Sequence, residues 1–247
     1  MKRALSILSG VVCLFPCAAA VRVFAQGGSV TATVSVVRTL PANSKSPAEK
    51  AKDDSNVAIW LTPLGNASNK ALASASSPRL VQRHKTFEPH VLIVPVGTLV
   101  AFPNKDPFFH NIFSLYDGKR FDLGLYEAGT TRSVLFDRPG VSFLFCNIHA
   151  EMSAVVIAVN TPYFGISDRS GHVVIPNVPA GRYELSVWYE RSLSEELKGL
   201  SRTVTISASN RDLGTIRVNE NPDFTIEHKN KYGLDYVPPP NPAYNHP

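Results

Sequence analysis

Short apolar stretches, separated by turn-forming residues, run through the chain from residue 29 to residue 218. In the first stretch, apolar residues occupy every second position, at Val30, Ala32, Val34 and Val36. This period of two is typical of a β-strand with one buried face. Similar stretches recur at short spacing, and residues 192–200 have a pattern that suits one helical turn. Many short strands with such punctuation predict an all-β chain built from β-sandwiches.

The first 25 residues have the features of a secretory signal peptide. A basic start precedes residues 4–20, which are largely apolar but short for a membrane span. Small residues suit cleavage after Ala20 or Ala25. We therefore expect residues 1–25 to be removed on export, which places the mature protein in the periplasm. The sequence has no other long apolar run, so no membrane span is expected.

The charge balance gives no reason to expect a nucleic-acid partner. The formal net charge of +5 includes Lys2, Arg3 and Arg22, which leave with the predicted signal peptide. The remaining chain carries 22 basic against 20 acidic residues, without a block of Lys or Arg. Proteins that bind nucleic acids usually have a basic patch or stripe. We therefore expect no nucleic-acid partner.

Polar segments divide the mature chain into parts. Residues 39–56 are rich in Lys, Ser, Pro and Asp, and residues 64–78 are small and polar, so both are predicted to be loops or linkers. The predicted parts are, in order, a first group of strands at 27–66, a domain at 78–160, a second domain at 161–218 and a Pro-rich extended tail at 219–247.

After removal of the signal peptide, the chain keeps one cysteine and one methionine, Cys146 and Met152, with His149 between them. In an oxidising compartment, a thiol without an intramolecular partner needs an explanation, and metal ligation is one. A second histidine, His110, lies upstream. One thiolate, two imidazoles and one thioether are the ligand set of a type 1 (blue) copper site. Each residue alone also fits an ordinary core position, so the prediction depends on the four together.

The segments that hold these residues resemble the cupredoxin family. FPNKDPFFHNIFS (102–114) and FCNIHAEMSAVVIAV (145–159) are similar to bacterial periplasmic proteins of the plastocyanin-like, "methylamine utilization protein" type. The short spacing from the cysteine to the methionine resembles that of amicyanin. The resemblance implies a Greek-key β-sandwich with one type 1 copper ion. The implied ligands are His110, Cys146, His149 and Met152.

The same resemblance implies a role for each ligand. Cys146 is the electron-path ligand, His149 the exit at the solvent edge, His110 the inner imidazole and Met152 the axial ligand that tunes the copper. Asn111 matches a position whose side chain ties the two ligand segments together. Apolar neighbours are expected to exclude water from the site. These are Phe108, Phe109, Phe143, Phe145 and Ile148.

The segment SDRSGHVVIPNVPAGRYELSVWYE (167–190) resembles the carboxypeptidase regulatory-like, Ig-like β-sandwich, which is usually non-catalytic. That family pattern normally begins with strands that are absent after residue 160. The stretches at 29–37 and 57–62 can supply them, which predicts a copper domain inserted into a discontinuous second sandwich. The alternative is that these early strands extend the copper domain.

The expected function is one-electron transfer with a redox protein partner in the cell envelope. A copper carrier or buffer, and an envelope interaction module with structural copper, are the alternatives. An enzyme is not expected, because the H-x-H and H-C-H patterns of multicopper oxidases and copper nitrite reductases do not occur. His84 and His90 are expected at the surface, with a second copper-acquisition site as the alternative.

Overall fold

The computed structural model describes residues 27–38, 53–65, 78–115, 117–225 and 228–236. The predicted signal peptide and the prolines at 238–240 lie outside these ranges. Within them, the chain forms sixteen strands and one short helix, which confirms the all-β prediction. Among the described residues, no helix combines the length and the apolar character needed to span a membrane.

The elements in chain order are β1 (Gly28–Arg38), β2 (Ala58–Pro63), β3 (Val81–Arg83), β4 (Thr86–Glu88), β5 (Val91–Pro95), β6 (Thr98–Pro103), β7 (His110–Ser114), β8 (Phe121–Tyr126), β9 (Thr131–Phe136), β10 (Gly140–Phe145), β11 (Ser153–Val159), β12 (Phe164–Ile166), β13 (His172–Val178), β14 (Gly181–Trp188), α1 (Ser194–Leu200), β15 (Arg202–Ile206) and β16 (Asp212–Glu220).

The first two strands pair with the last strands, and together they form the terminal unit (β1, β2, β12–β16 and α1). β1 is the middle strand of a three-stranded sheet, antiparallel to β13 and parallel to β16. β2 lies between β12 and β14 in a four-stranded sheet. The alternating apolar residues of β1 are buried in a core that includes Ile59 and Leu61 of β2. β1 and β2 therefore pair across the whole middle of the chain, while the domain boundaries stay a prediction.

Strands β3–β11 form the central unit. Five of them form one sheet in the order β5, β11, β10, β7, β8. The pair β6–β9 and the hairpin β3–β4 contribute to the same core from outside this sheet. This core includes Phe102, Phe136 and Leu144, and also Cys146 and Met152. Two of the predicted metal-binding residues therefore lie within the apolar core of the central unit.

β11 is buried on both faces. Ala154, Val156 and Ala158 belong to the core of the central unit. The residues between them contact a separate apolar cluster that includes Trp60 and Trp188 of the terminal unit. Burial on both sides explains why β11 is a continuous apolar run instead of an alternating one. The two units therefore pack face to face, with β11 and β2 in the facing sheets.

A fragment of residues 161–220 is expected not to fold by itself. It lacks β1 and β2, which are inner strands of the two terminal-unit sheets, so apolar faces and unpaired strand edges are exposed. Circular dichroism during urea titration should show no cooperative transition. Addition of a fragment of residues 27–65 should restore one. A cooperative transition of the 161–220 fragment alone would contradict the inserted arrangement.

A histidine joins the two units. Nε2 of His90, between β4 and β5, lies 2.6 Å from Oε2 of Glu190, which follows β14. Its Nδ1 lies 3.2 Å from the carbonyl oxygen of Ser153. The hydrogen bond to Glu190 raises the pKa of His90, although burial opposes the shift. The sequence predicted His90 at the surface, but its side chain is only partly exposed. Both of its ring nitrogens face oxygen acceptors.

We expect the pair of His90 and Glu190 to stabilise the fold more at low pH than at high pH. The pKa of His90 is raised in the folded protein above its unfolded value of about 6.5. Its contribution is therefore fully present below about pH 6.5 and is lost as the pH rises through the folded pKa. Glu190→Gln should lower the free energy of unfolding by about 1 kcal/mol at pH 6, and by less at pH 9, in urea titrations. Glu184→Gln, exposed on β14, is the control, and equal losses at both pH values for Glu190→Gln would contradict this expectation.

Candidate metal centre

The four predicted metal-binding residues lie at one end of the central sheet. His110 is the first residue of β7, and Cys146 follows the last residue of β10, which pairs with β7. His149 and Met152 lie in residues 146–152, here called the ligand loop, which leads into β11. The Cys146 N–H donates to the Met152 carbonyl at 3.2 Å, and the Met152 N–H donates to the His149 carbonyl at 3.1 Å. These two bonds close the loop, so that it returns its side chains to the point where it began.

Three donor atoms converge at this point. Nδ1 of His110 and Nδ1 of His149 are 3.2 Å apart, and Sγ of Cys146 lies 3.8 Å from the first and 3.5 Å from the second. A circle through these three atoms has a radius of about 2.0 Å, close to the roughly 2.0–2.3 Å at which imidazole and thiolate bind a transition metal. Among the described residues, this is the group of three His, Cys, Asp or Glu side chains placed to hold a metal ion.

The donors differ in their exposure to solvent. His110, Cys146 and Met152 are fully buried, whereas His149 is partly exposed. Met152 belongs to the same apolar cluster as Cys146. A buried thioether close to the thiolate in the chain suits a weak axial ligand, and ligation by Met152 stays a prediction.

Asp106 fixes the ring of His110. Nε2 of His110 donates to Oδ2 of Asp106 at 2.8 Å. The ring hydrogen is therefore on Nε2, and the lone pair is on Nδ1, which faces the other two donors. Histidines that bind metals usually donate their second ring N–H to such an acceptor. The sequence alone did not identify Asp106 as a partner of His110. The only available signal was its position four residues before the histidine.

A tight turn holds Asp106 from the other side. The backbone N–H groups of His84 and Lys85 donate to its two carboxylate oxygens at 2.6 and 3.0 Å. Both residues have positive φ, 54° and 55°, as in a two-residue turn that joins β3 and β4. Although burial opposes the shift, these donors and the His110 ring keep the pKa of Asp106 below its ordinary value. Asn104 also accepts the Asp106 N–H at 3.0 Å, so the whole segment is tied in place.

The electrostatics of the site favour a bound cation. Burial and the neighbouring His110 lower the pKa of His149 to about 4, and burial lowers that of His110. Burial raises the pKa of the Cys146 thiol, although the N–H groups of Asn111, Ile148 and His149 point at the sulfur and oppose the shift. At neutral pH both rings are therefore uncharged, with two nitrogen atoms close together beside a buried sulfur. A cation between them satisfies all three donors, and ligation requires the thiol to lose its proton.

Only part of the predicted apolar shell faces the site. The ring of Phe108 covers both imidazoles, with centroids 5.2 Å from that of His110 and 5.6 Å from that of His149. Phe109 and Ile148 are instead 55% and 45% exposed, so they do not seal the site. Phe143 lies on the other face of β10 and contacts Trp188 of the terminal unit. Residues next to the candidate ligands in the chain are thus divided between core and surface, which their apolar composition did not reveal.

The side chain of Asn111 has a different partner from the one that the resemblance implies. Its Nδ2 donates to Oδ1 of Asp122 at 2.7 Å, which ties β7 to β8. Within the ligand loop, Oδ1 of Asn147 accepts the backbone N–H of Lys231 at 2.9 Å, which ties the loop to a later segment of the chain. The other two histidines considered above stand apart: His84 is exposed in its turn, and His90 pairs with Glu190.

No family model matches the chain, and no curated protein matches it. Among solved structures, a purple cupredoxin from Nitrosopumilus maritimus is 24% identical, with a TM-score of 0.31, over 33% of this chain and 99% of that protein. An amicyanin variant in its Cu(I) form is 16% identical, with a TM-score of 0.32, over 41% of this chain and 98% of that protein. A copper-containing nitrite reductase from Thermus scotoductus is 22% identical, with a TM-score of 0.32, over 50% of this chain and 28% of the reductase. These matches are partial, and it is the donor geometry that supports the metal assignment.

Asp106→Ala should weaken copper binding about 10–100-fold, because His110 loses the partner that fixes its ring. Asp106→Asn should keep part of the affinity, since the amide oxygen can still accept from Nε2. Competition with a chromophoric copper chelator measures both variants. Asp137→Ala is the control, because it removes only an exposed ion pair with Lys119. An affinity of Asp106→Ala equal to that of the control would contradict the positioning role.

Proposed function

We propose that this protein binds one copper ion in a type 1 site formed by His110, Cys146, His149 and Met152, and that it transfers single electrons in the cell envelope. The observation that carries the proposal is the convergence of two imidazole nitrogens and one buried sulfur. The distances between these three atoms suit donors arranged around one metal ion. Thiolate and thioether donors favour copper over hard cations such as Mg²⁺ or Ca²⁺. When bound, copper supplies a centre that alternates between Cu(I) and Cu(II).

The surroundings of the donors support a role in electron transfer. His110 is held through Asp106, and Cys146 is held by the backbone hydrogen bonds of the ligand loop. Donors held in this way move little when the charge of the centre changes, which keeps electron transfer fast. Phe108 covers both imidazoles and limits the access of water to the inner side of the site.

His149 is the proposed point of electron exit. It is the partly exposed member of the donor group, while His110 and Cys146 are fully buried. The exposed side chain of Ile148 lies next to it in the ligand loop. A redox protein of the envelope that docks at this edge approaches the centre through one imidazole ring. The proposed periplasmic location depends on the predicted signal peptide.

A periplasmic copper carrier or buffer is the second candidate. The partial exposure of His149 favours it, because a ligand at the surface gives a receiving protein access to the metal. The two functions differ in rate. Slow copper exchange with fast electron exchange supports electron transfer, whereas rapid transfer of Cu(I) to a chelating acceptor supports carriage.

The Cu(II)-loaded mature protein should be blue or green. Charge transfer from the Cys146 thiolate to copper gives an intense visible absorption band, which is recorded together with the EPR spectrum. Cys146→Ser should lose this band and keep its fold by circular dichroism. Ser153→Ala, just outside the ligand loop, should keep the band. A colourless wild-type protein that binds copper stoichiometrically would exclude a type 1 site.

A further inference from the structure

The last described segment of the chain, residues 228–236, lies against the ligand loop and is here called the strap. It follows β16, so the chain returns from the terminal unit to the metal end of the central unit. The strap has the sequence HKNKYGLDY, which is polar and without strand periodicity. Three of its residues contact the ligand loop, and the proposed function assigns them no role.

Tyr236 contacts a proposed ligand directly. Its hydroxyl donates to the backbone carbonyl oxygen of Cys146 at 2.6 Å. The peptide that carries this oxygen also begins the ligand loop, so its orientation is coupled to that of the sulfur. The Tyr236 oxygen also lies 3.2 Å from Nδ1 of His228, which connects the two ends of the strap.

His228 contacts both the residue that precedes the ligand loop and the tip of the loop. Its ring stacks on Phe145, the residue before Cys146, with centroids 4.0 Å apart and planes inclined by 26°. Its Nε2 donates to the carbonyl oxygen of Ala150 at 2.8 Å. Ala150 lies between His149 and Met152, so a single imidazole bridges the start of the loop and its tip.

Lys231 anchors the middle of the strap. Its backbone N–H donates to Oδ1 of Asn147 at 2.9 Å, and its Nζ lies 2.7 Å from Oδ2 of Asp122 on β8. Asp122 in turn accepts from Asn111, the residue after His110. The strap therefore links the ligand loop to the strand pair that carries the other imidazole.

We propose that the strap positions the ligand loop, and that the Tyr236 hydroxyl raises the reduction potential of the bound copper. The contacts reach the first residue of the loop, its second residue and its tip, which restricts motion of the segment that holds three of the four donors. The O–H dipole directs its positive end at the Cys146 carbonyl. Positive charge near a ligand favours Cu(I), the less positively charged state. The effect on the potential rests on the proposed function, whereas the effect on loop motion does not.

Hydrogen exchange of the metal-free mature protein tests the positioning role. Tyr236→Phe removes one hydroxyl and should speed the exchange of the Cys146, His149 and Met152 amides about fivefold, the factor expected for one lost hydrogen bond. Amides of β1, in the terminal unit, should be unchanged. Tyr232→Phe is the matched control, since this strap tyrosine is 70% exposed. His228→Ala should act on the same three amides as Tyr236→Phe.

The reduction potential of the copper-loaded protein tests the tuning role. Tyr236→Phe should lower the potential, while Tyr232→Phe should leave it unchanged. If Tyr236→Phe matches the control in both exchange and potential, the proposal is overturned. It is also overturned if exchange rises uniformly over the chain, because the hydroxyl then only contributes to global stability. Faster loop exchange in a protein without a thiolate-to-copper band would instead reject the proposed copper site and retain the strap.

Discussion

The hydrogen bond from His110 Nε2 to Asp106 Oδ2 is the interaction on which the proposed metal centre depends. It places the ring hydrogen away from the other donors and leaves a lone pair on Nδ1. Asp106 can accept this bond in one fixed orientation because two N–H groups of the turn between β3 and β4 hold its carboxylate. The backbone conformation of that turn, with two consecutive positive φ angles, therefore determines where the candidate ligand nitrogen of His110 points.

The ligand loop is restrained from three directions. At its ends it continues β10 and β11, and β11 packs on the central core with one face and on the terminal unit with the other. Asp106 and Phe108 restrain the imidazoles from the segment before β7. The strap contacts the loop from its remaining side. The terminal unit thus supports this end of the central unit in two ways, by packing against β11 and through the strap, which follows β16.

The sequence was sufficient for the all-β class, which follows from local periodicity. The grouping of His110 with Cys146 and His149 was instead inferred from the ligand set and the family resemblance, because His110 lies 36 residues before Cys146 in the chain. Asp106 was not predictable, because an isolated aspartate four residues from a histidine is common and its orientation depends on two turn residues that lie 21 and 22 residues earlier in the chain. The strap contacts were also hidden, since polar residues without periodicity give no sign of what they pack against. The exposure of Phe109 and Ile148 shows that apolar type does not decide the side of a loop to which a residue points.

The arrangement of β1 also affects how the chain folds. β1 begins at Gly28, yet its partners β13 (His172–Val178) and β16 (Asp212–Glu220) come much later in the chain, so it has no sheet neighbour until they have been synthesised. Pairing over such a sequence separation is slow, whereas most pairs of the central unit are formed between strands closer together. The central unit can therefore assemble first and bring the two ends of the chain together. During that interval β1 is an apolar strand without partners, and this is the stage at which association with other chains competes with folding.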